Sequence, residues 1–388
     1  MDALKAFYKN QAQYLRKEVW ELARQIGEHP ELGYQEFFAT EVLSRFLQKH
    51  GFKVSCGIAG METAFEAVFS FQQPGPRIAF MAEYDALPGL GHGCGHNLIG
   101  AASAGAAAIL SKSLELAGEI LVIGSPAEET SGAKVTLVEN GIFESVDIAI
   151  MFHPGSQNVP IVSSLALDAL EFTFHGRAAH SVAASSFGIN ALDAVINFFV
   201  GINALKKQLD RDMKINGIIT EGGTVPNIIP ERAVARLYIR ASKRKNLDQL
   251  REQVIRCAEG AASMVSATMT YRKFEFSYDE MRTNLALADC FTRNLRELGV
   301  RDISLPQTAM GSVDMGNVSW AVPAIHPYLM LGSGTEVPHT RDFAQAALSQ
   351  KGEKLVMLAM QSLAFTASDV LLDPKLLQKI KQEFSMNK

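Results

Sequence analysis

The chain has 388 residues, too long for one small core, so about two domains are expected. Apolar residues make up 47% and charged residues 20%, with 14 prolines, which is the make-up of a packed globular protein and excludes a disordered one. The net charge is -4 and the basic residues are scattered among acidic ones, so there is no basic stripe and no nucleic-acid partner is expected.

The first 20 residues mix charge and apolar residues at helical spacing and lack the unbroken apolar run of a signal peptide. No uncharged apolar run reaches the roughly 18 residues of a membrane span, so no membrane partner is expected. The four cysteines, Cys56, Cys94, Cys257 and Cys290, are far apart and form no compact disulfide framework, which makes a reducing cytoplasm the simplest address.

Residues 2–28 and 36–50 read as amphipathic helices, separated by Pro30 and Gly33. Apolar strands then alternate with helices: a strand near 77–83, a helix near 97–112 with Asn97 as its cap, and strands near 119–125 and 148–152. This β-α-β alternation predicts an α/β fold, a mostly parallel sheet flanked by helices. The helix at 97–112 is rich in Ala, Gly and Ser on all sides, which suits close burial against the sheet. Between 168 and 279 the pattern changes to a strand and turn, a long helix, two strands, a helix at 246–264 and a final strand. We read this as an inserted α+β domain, with 1–167 and 280–388 forming the α/β domain around it.

Ligands of open parallel sheets gather at the carboxyl ends of the strands. Three successive strand ends carry metal-ligand chemistry here. After the first comes EYDALPGLGHGCGHN (83–97), in which His92, Cys94 and His96 alternate with glycines that allow a tight fold around an ion. Cys with His suits zinc or a similar borderline metal. A Cys94 thiolate would also lie near the positive amino end of the next helix, which favours its ionised form. The second strand ends in Glu128–Glu129; one carboxylate could bind metal while the other takes a proton from water that the metal has acidified. The third ends at His153, and His339 sits in a Gly-rich loop late in the chain. Cys94, His96, Glu129, His153 and His339 together supply five donors, which two four-coordinate ions can share with a bridging water. Asp85 could hydrogen-bond a ligating imidazole and fix its tautomer, and Glu83 is an alternative extra ligand.

The glycines at 89, 91, 93 and 95 do not have the G-x-G-x-x-G spacing, and two imidazoles would crowd a pyrophosphate, which argues against a nicotinamide-dependent oxidoreductase.

With these residues in place, the sequence resembles the aminoacylase/carboxypeptidase group, metallopeptidase family 20, in its amidohydrolase branch with hippurate hydrolase, indole-acetyl-amino-acid hydrolases and aminobenzoyl-glutamate hydrolase. The resemblance covers nearly the whole chain through HPELGYQE (29–36), EYDALPGLGHGCGHN (83–97), PAEE (126–129), FHP (152–154), HGRAAHS (175–181), NIIP (227–230) and HTRDF (339–343). It implies a dinuclear metallohydrolase acting on amide or peptide bonds, with Cys94, His96, Glu129, His153 and His339 as ligands and Glu128 as general base. It implies that the insertion is a lid and dimerisation domain in a homo-oligomer, dimer or tetramer. His180 matches the histidine that polarises the substrate carbonyl and would stabilise the oxyanion. Asn227 and Arg240 fall where substrate is often contacted, Arg240 as a bidentate clamp for a carboxylate. The sequence departs from the branch at Asn97 and Glu83, where Asp is common, which bears on the second metal position.

The expected activity is hydrolysis of an N-acyl amino acid or dipeptide-like amide by a metal-activated water. Two divalent ions are expected per subunit, zinc first, with manganese also suited to the site. The competing reading is a catalytically silent small-molecule binding protein of the same fold.

Overall fold

A computed structural model describes residues 2–306 and 311–386. The chain divides into two compact units, one of residues 2–163, 281–306 and 314–386, the other of 164–280 with 311–313.

The first unit begins with helices α1 (Asp2–Glu28) and α2 (Phe37–Lys49), then strands β1 (Lys53–Cys56), β2 (Phe65–Ser70) and β3 (Arg77–Ala82). Helix α3 (His96–Leu110), strand β4 (Glu119–Gly124), helix α4 (Ala133–Glu139) and strands β5 (Ile148–Ile150) and β6 (His153–Gly155) follow. Every residue of α3 is buried, as its Ala- and Gly-rich sequence requires. Two glycines set its distance from its neighbours. A Cβ on Gly100 would lie 2.9 Å from the Glu83 carbonyl, and one on Gly105 would lie 3.0 Å from Met360 Sδ. Asn97 does not cap this helix. The cap position falls to Gly95, in a left-handed conformation (φ 72°), because the chain must turn sharply there to present His96.

The second unit holds β7 (Ala166–His175), β8 (Ala179–His180), α5 (Ala191–Lys206), β9 (Lys214–Glu221), β10 (Ile228–Ile229), β11 (Arg232–Ala241), α6 (Arg244–Met264) and β12 (Thr268–Lys273). Its sheet is antiparallel, in the order β12-β7-β11-β9. Its core interleaves Phe172, Phe174 and Ile239 of the sheet with Phe198 of α5 and Leu250 and Val254 of α6. A separate ribbon pairs β8 with β10.

The first unit resumes with α7 (Leu285–Glu297), α8 (Met315–Ala321), β13 (Ala324–Ile325), β14 (Tyr328–Met330), α9 (Arg341–Ala347), α10 (Gln350–Leu372) and α11 (Pro374–Met386). Its sheet has the order β1-β2-β4-β3-β5-β13, with β4, β3, β5 and β13 parallel and the β1–β2 hairpin added antiparallel. The last parallel pair continues past a two-residue break as β6 with β14, where His153 lies opposite Tyr328. Helix α10 is long and apolar enough to cross a membrane, but 78% of its apolar window is buried in this fold, as expected of a core helix.

Phe198 is fully buried, with its ring 5.0 Å from Phe172 and 5.7 Å from Phe174. Phe198→Ala is expected to destabilise the second unit by about 3–5 kcal/mol through the cavity it leaves. Urea unfolding checks this; an unchanged midpoint would mean that these aromatics do not hold the unit together.

Candidate metal centre

The carboxyl ends of β3, β4 and β5 open on one place in the first unit. After β3 the chain runs through Glu83 and Asp85 into the glycine loop. Left-handed Gly91 (φ 74°) and Gly95 fold that loop so that Gly93 N–H reaches the Gly91 carbonyl and Gly95 N–H reaches that of His92. This delivers Cys94 and His96 side by side at the start of α3.

Asp85 is buried and uses both carboxylate oxygens. Oδ1 accepts from His96 Nδ1 at 2.9 Å, and Oδ2 accepts from the backbone N–H of Glu129 at 2.9 Å. The first bond fixes the His96 tautomer and leaves Nε2 free; the second ties the turn after β4 to the end of β3. His153 is fixed in the same way, its Nδ1 donating to the Pro154 carbonyl at 2.6 Å, which frees its Nε2.

Around His96 Nε2 lie Glu83 Oε2 at 3.5 Å, Glu129 Oε1 at 3.9 Å and Glu128 Oε2 at 4.0 Å. His96 Nε2, Glu83 Oε2 and Glu129 Oε1 are buried without a hydrogen-bond partner. Two sets of donor atoms each fall within 4.8 Å of one another: Cys94, His96 and Glu129, and Glu83, His96 and His153. Buried donors left unpaired on this scale are costly in a folded protein, and a cation among them removes the cost. Thiol, imidazole and carboxylate are also the donor types of zinc-like ions. The residues therefore fit a metal.

The local electrostatics point the same way. Burial pushes the Cys94 thiol well above its ordinary range, and the Glu129, Glu128 and Glu83 carboxylates push it further. These carboxylates oppose the effect expected of the helix terminus on this thiol. Burial also opposes a charged His96, but Asp85 and Glu83 outweigh it and raise its pKa. Burial and the neighbouring His96 lower His153 to about 4, which leaves its imidazole neutral as a ligand must be. Burial raises Glu128 well above its ordinary value, and repulsion by Glu83 and Asp314 adds to the shift.

The remaining candidates divide. His339 is exposed and lies outside both donor sets, although its backbone N–H bonds the Gly93 carbonyl at 2.9 Å, one residue from Cys94. His92 is structural: Nε2 reaches the Ile26 carbonyl at 3.2 Å and Nδ1 accepts from Asn97 N–H at 3.3 Å. The Asn97 side chain bonds the Ala23 carbonyl in α1, so its departure from Asp is absorbed by helix packing, whereas Glu83 stands among the donors. In the second unit, His180 pairs with Ile228 across the ribbon, and Ser181 N–H bonds the Asn227 carbonyl, so His180 and Asn227 are neighbours. His180 Nδ1 accepts from the N–H groups of Val182 and Ala183 at 3.3 and 3.2 Å, which leaves Nε2 free. Arg240 lies on β11 with a buried, unpartnered Nε, its guanidinium 5.8 Å from the centre of the Tyr238 ring.

Sequence reasoning missed four residues. Lys134 and Asp314 form a buried ion pair at 2.7 Å, and Lys134 also holds Glu83 at 2.6 Å. His326 is buried with neither ring nitrogen partnered, its ring 5.5 Å from that of His153. Glu36 is fully buried beneath the Glu128–Glu129 turn, accepting from Ala127 N–H at 2.7 Å and the Thr63 hydroxyl at 2.9 Å. Only Glu36 had a signal, its place in the HPELGYQE segment.

Residues 166–263 match the M20 peptidase dimerisation domain. The Xaa-Arg dipeptidase of Mus musculus is 35% identical over 379 residues, covering 94% of this chain and 88% of the relative. The chain belongs to the M20 peptidase family. It is thereby one of the metal-dependent hydrolases of peptide and amide bonds. Another relative, a component of the p-aminobenzoyl-glutamate hydrolase of Escherichia coli (strain K12), is 30% identical over 448 residues, covering 95% of this chain and 92% of its own. Among solved structures, a dinuclear metal-binding M20 peptidase of Bacillus subtilis has the same fold, with a TM-score of 0.71 at 20% identity over 92% of this chain and 99% of that one.

Two measurements probe this centre. Asp85→Ala frees the His96 ring to rotate and is expected to weaken metal binding by about 10–100-fold, read by competition with a chelator; undiminished affinity would remove Asp85 from its orienting role. Burial raises Glu36 from 4.5 to about 7, so the folded state binds this proton more tightly than the unfolded state. Its contribution to stability is full below about pH 4.5 and is lost as the pH rises through about 7. Glu36→Gln keeps an acceptor for the Ala127 N–H and can donate to the Thr63 hydroxyl instead of accepting from it, so the loss of stability with rising pH across that window should be smaller in the variant. Identical pH slopes of the unfolding midpoint would show that Glu36 is not the titrating group.

Proposed function

We propose that this M20 enzyme cleaves the amide bond of a dipeptide or N-acyl amino acid with a free carboxylate. The observation that carries the reading is the gathering of Cys94, His96, Glu129, Glu83 and His153 around unpaired donor atoms, with the Glu128 carboxylate beside them. The substrate class draws on the relatives named as an Xaa-Arg dipeptidase and a p-aminobenzoyl-glutamate hydrolase, since both names describe an amide to a carboxylate-bearing amino acid.

Two divalent ions per subunit are proposed, zinc by donor chemistry with manganese as the other candidate. Once bound, they supply Lewis acidity to the scissile carbonyl and lower the pKa of the attacking water. Glu128, whose Oε2 lies 4.0 Å from His96 Nε2, takes the water proton at its carboxylate and hands it to the leaving amine. Asp85 keeps His96 Nε2 facing the donors throughout. His339 is retained as a further ligand, supported by the bond from its backbone to the Cys94 loop.

His180 is assigned to the substrate carbonyl, where Nε2–H would meet the developing oxyanion; its Nδ1, already accepting two backbone bonds, supports that tautomer. Asn227 beside it is assigned to the substrate, and Arg240, whose Nε has no hydrogen-bond partner, to the substrate carboxylate. The dimerisation domain supports a homo-oligomer, for which we propose a dimer or tetramer. All four cysteines are free, which supports a reducing cytoplasm.

Glu128→Gln is expected to retain metal and lose at least about 10²-fold in kcat on a verified N-acyl amino acid or dipeptide. Metal analysis beside turnover checks this. Wild-type turnover in the variant would take the proton-transfer role away from Glu128.

A further inference from the structure

His96 has one nitrogen to offer, because Asp85 occupies the other. The two donor sets share it, so a second cation must draw mainly on donors belonging to one set alone. On the side away from Cys94 these are His153 and Glu83. Glu83 is an unusual donor. Its side chain is 2% exposed, and its Oε1 is already bound at 2.6 Å by Lys134 Nζ. Lys134 is itself wholly buried, and its Nζ is shared with Asp314 Oδ1 at 2.7 Å. Asp314 Oδ2 accepts from the Lys134 backbone N–H at 3.2 Å, which ties the Asp314 carboxylate to the same residue at its backbone as well as its ammonium.

The result is a chain of three buried charges in which every oxygen of the two carboxylates has a partner except Glu83 Oε2. That oxygen points at the cluster, 3.5 Å from His96 Nε2. A buried lysine with two carboxylates is poor value for stability alone, since an apolar replacement often does as well. Its geometry here does something more specific. It fixes the Glu83 rotamer, keeps the carboxylate ionised, and reserves one oxygen for a cation while denying the other.

We propose that Lys134 and Asp314 are positioning residues that hold Glu83 as a one-oxygen ligand of the second metal ion, an inference resting on the dinuclear reading above. Ligands oriented by such partners typically lose about 10–100-fold in metal affinity when the partner is removed. Because Lys134 and Asp314 carry opposite charges, removing both leaves the net charge of the cluster unchanged and isolates the orienting effect.

The test is titration of metal-free full-length protein with cobalt(II). Cobalt bound by Cys94 absorbs in the near ultraviolet through sulfur-to-metal charge transfer, whereas cobalt at Glu83 and His153 does not, so the two positions are read separately. In wild type, two equivalents are expected, one with that absorption. In Lys134→Met/Asp314→Asn, the equivalent without it should require about 10–100-fold more free cobalt while the thiolate step stays in place. Glu83→Gln, which keeps the side-chain shape, should lose the same equivalent and serves if the double variant does not fold. Both steps unchanged in either folded variant, or both weakened together, would overturn the proposal. Wild type that binds no cobalt would instead overturn the dinuclear reading on which it rests.

Discussion

The site depends on one carboxylate used twice. Asp85 stands just past β3, orients His96 through Nδ1 and holds the backbone of Glu129 through its second oxygen. The three segments it joins, the strand end, the glycine loop and the turn after β4, are separated in sequence, and Asp85 bonds the last two from the first through a single side chain. A loop-borne ligand set would be loose without such a brace. Here the brace is buried among strand ends whose own positions are fixed by parallel pairing of β3 with β4 and β5.

That brace gathers negative charge in a place with little water. Glu83, Asp85, Glu128, Glu129 and Asp314 converge, and the protein's own answers are Lys134 and a His96 whose protonated form is favoured. The balance still leaves Cys94 holding its proton far more tightly than a free thiol and Glu128 raised well above a free carboxyl. Both shifts have one cause, carboxylates packed together in low dielectric. A divalent ion reverses it by supplying charge where the fold cannot. Metal binding, release of the thiol proton and a firmly set centre are therefore parts of one equilibrium.

How much of this was legible in the sequence depended on whether a residue's role is local. The strand-end donors were visible because an apolar run followed by His or Glu is a local pattern, and the parallel sheet then brings such ends together. The glycine loop was visible for the same reason, and its chemistry told Cys94 and His96 apart from filler. His92, two residues away in the same pattern, could not be separated from them, because its partner Ile26 lies 66 residues earlier in α1. Lys134 and Asp314, 180 residues apart, gave no signal, since a lysine in the first turn of a short helix reads as solvent-facing. His326 was equally hidden; it lies in the break between β13 and β14, and only the matching break between β5 and β6 puts it beside His153.

The inserted unit and the turn after β4 illustrate two ways of positioning a side chain. His180 sits on a two-residue strand, and its ring is set by backbone N–H groups two and three residues ahead, a local device that needs no deep burial. Glu128 and Glu129 follow Ala127, which is left-handed at φ 55°, a conformation costing a non-glycine residue about 1–2 kcal/mol. Buried Glu36 meets that strain by accepting the Ala127 N–H, itself bearing the cost of a carboxyl kept from water. Strain and a buried acid would both be removed by a relaxed turn with glycine at 127, but such a turn would let the two carboxylates wander. The fold accepts two local penalties at the turn that brings both carboxylates to one place, Glu129 Oε1 3.9 Å and Glu128 Oε2 4.0 Å from His96 Nε2.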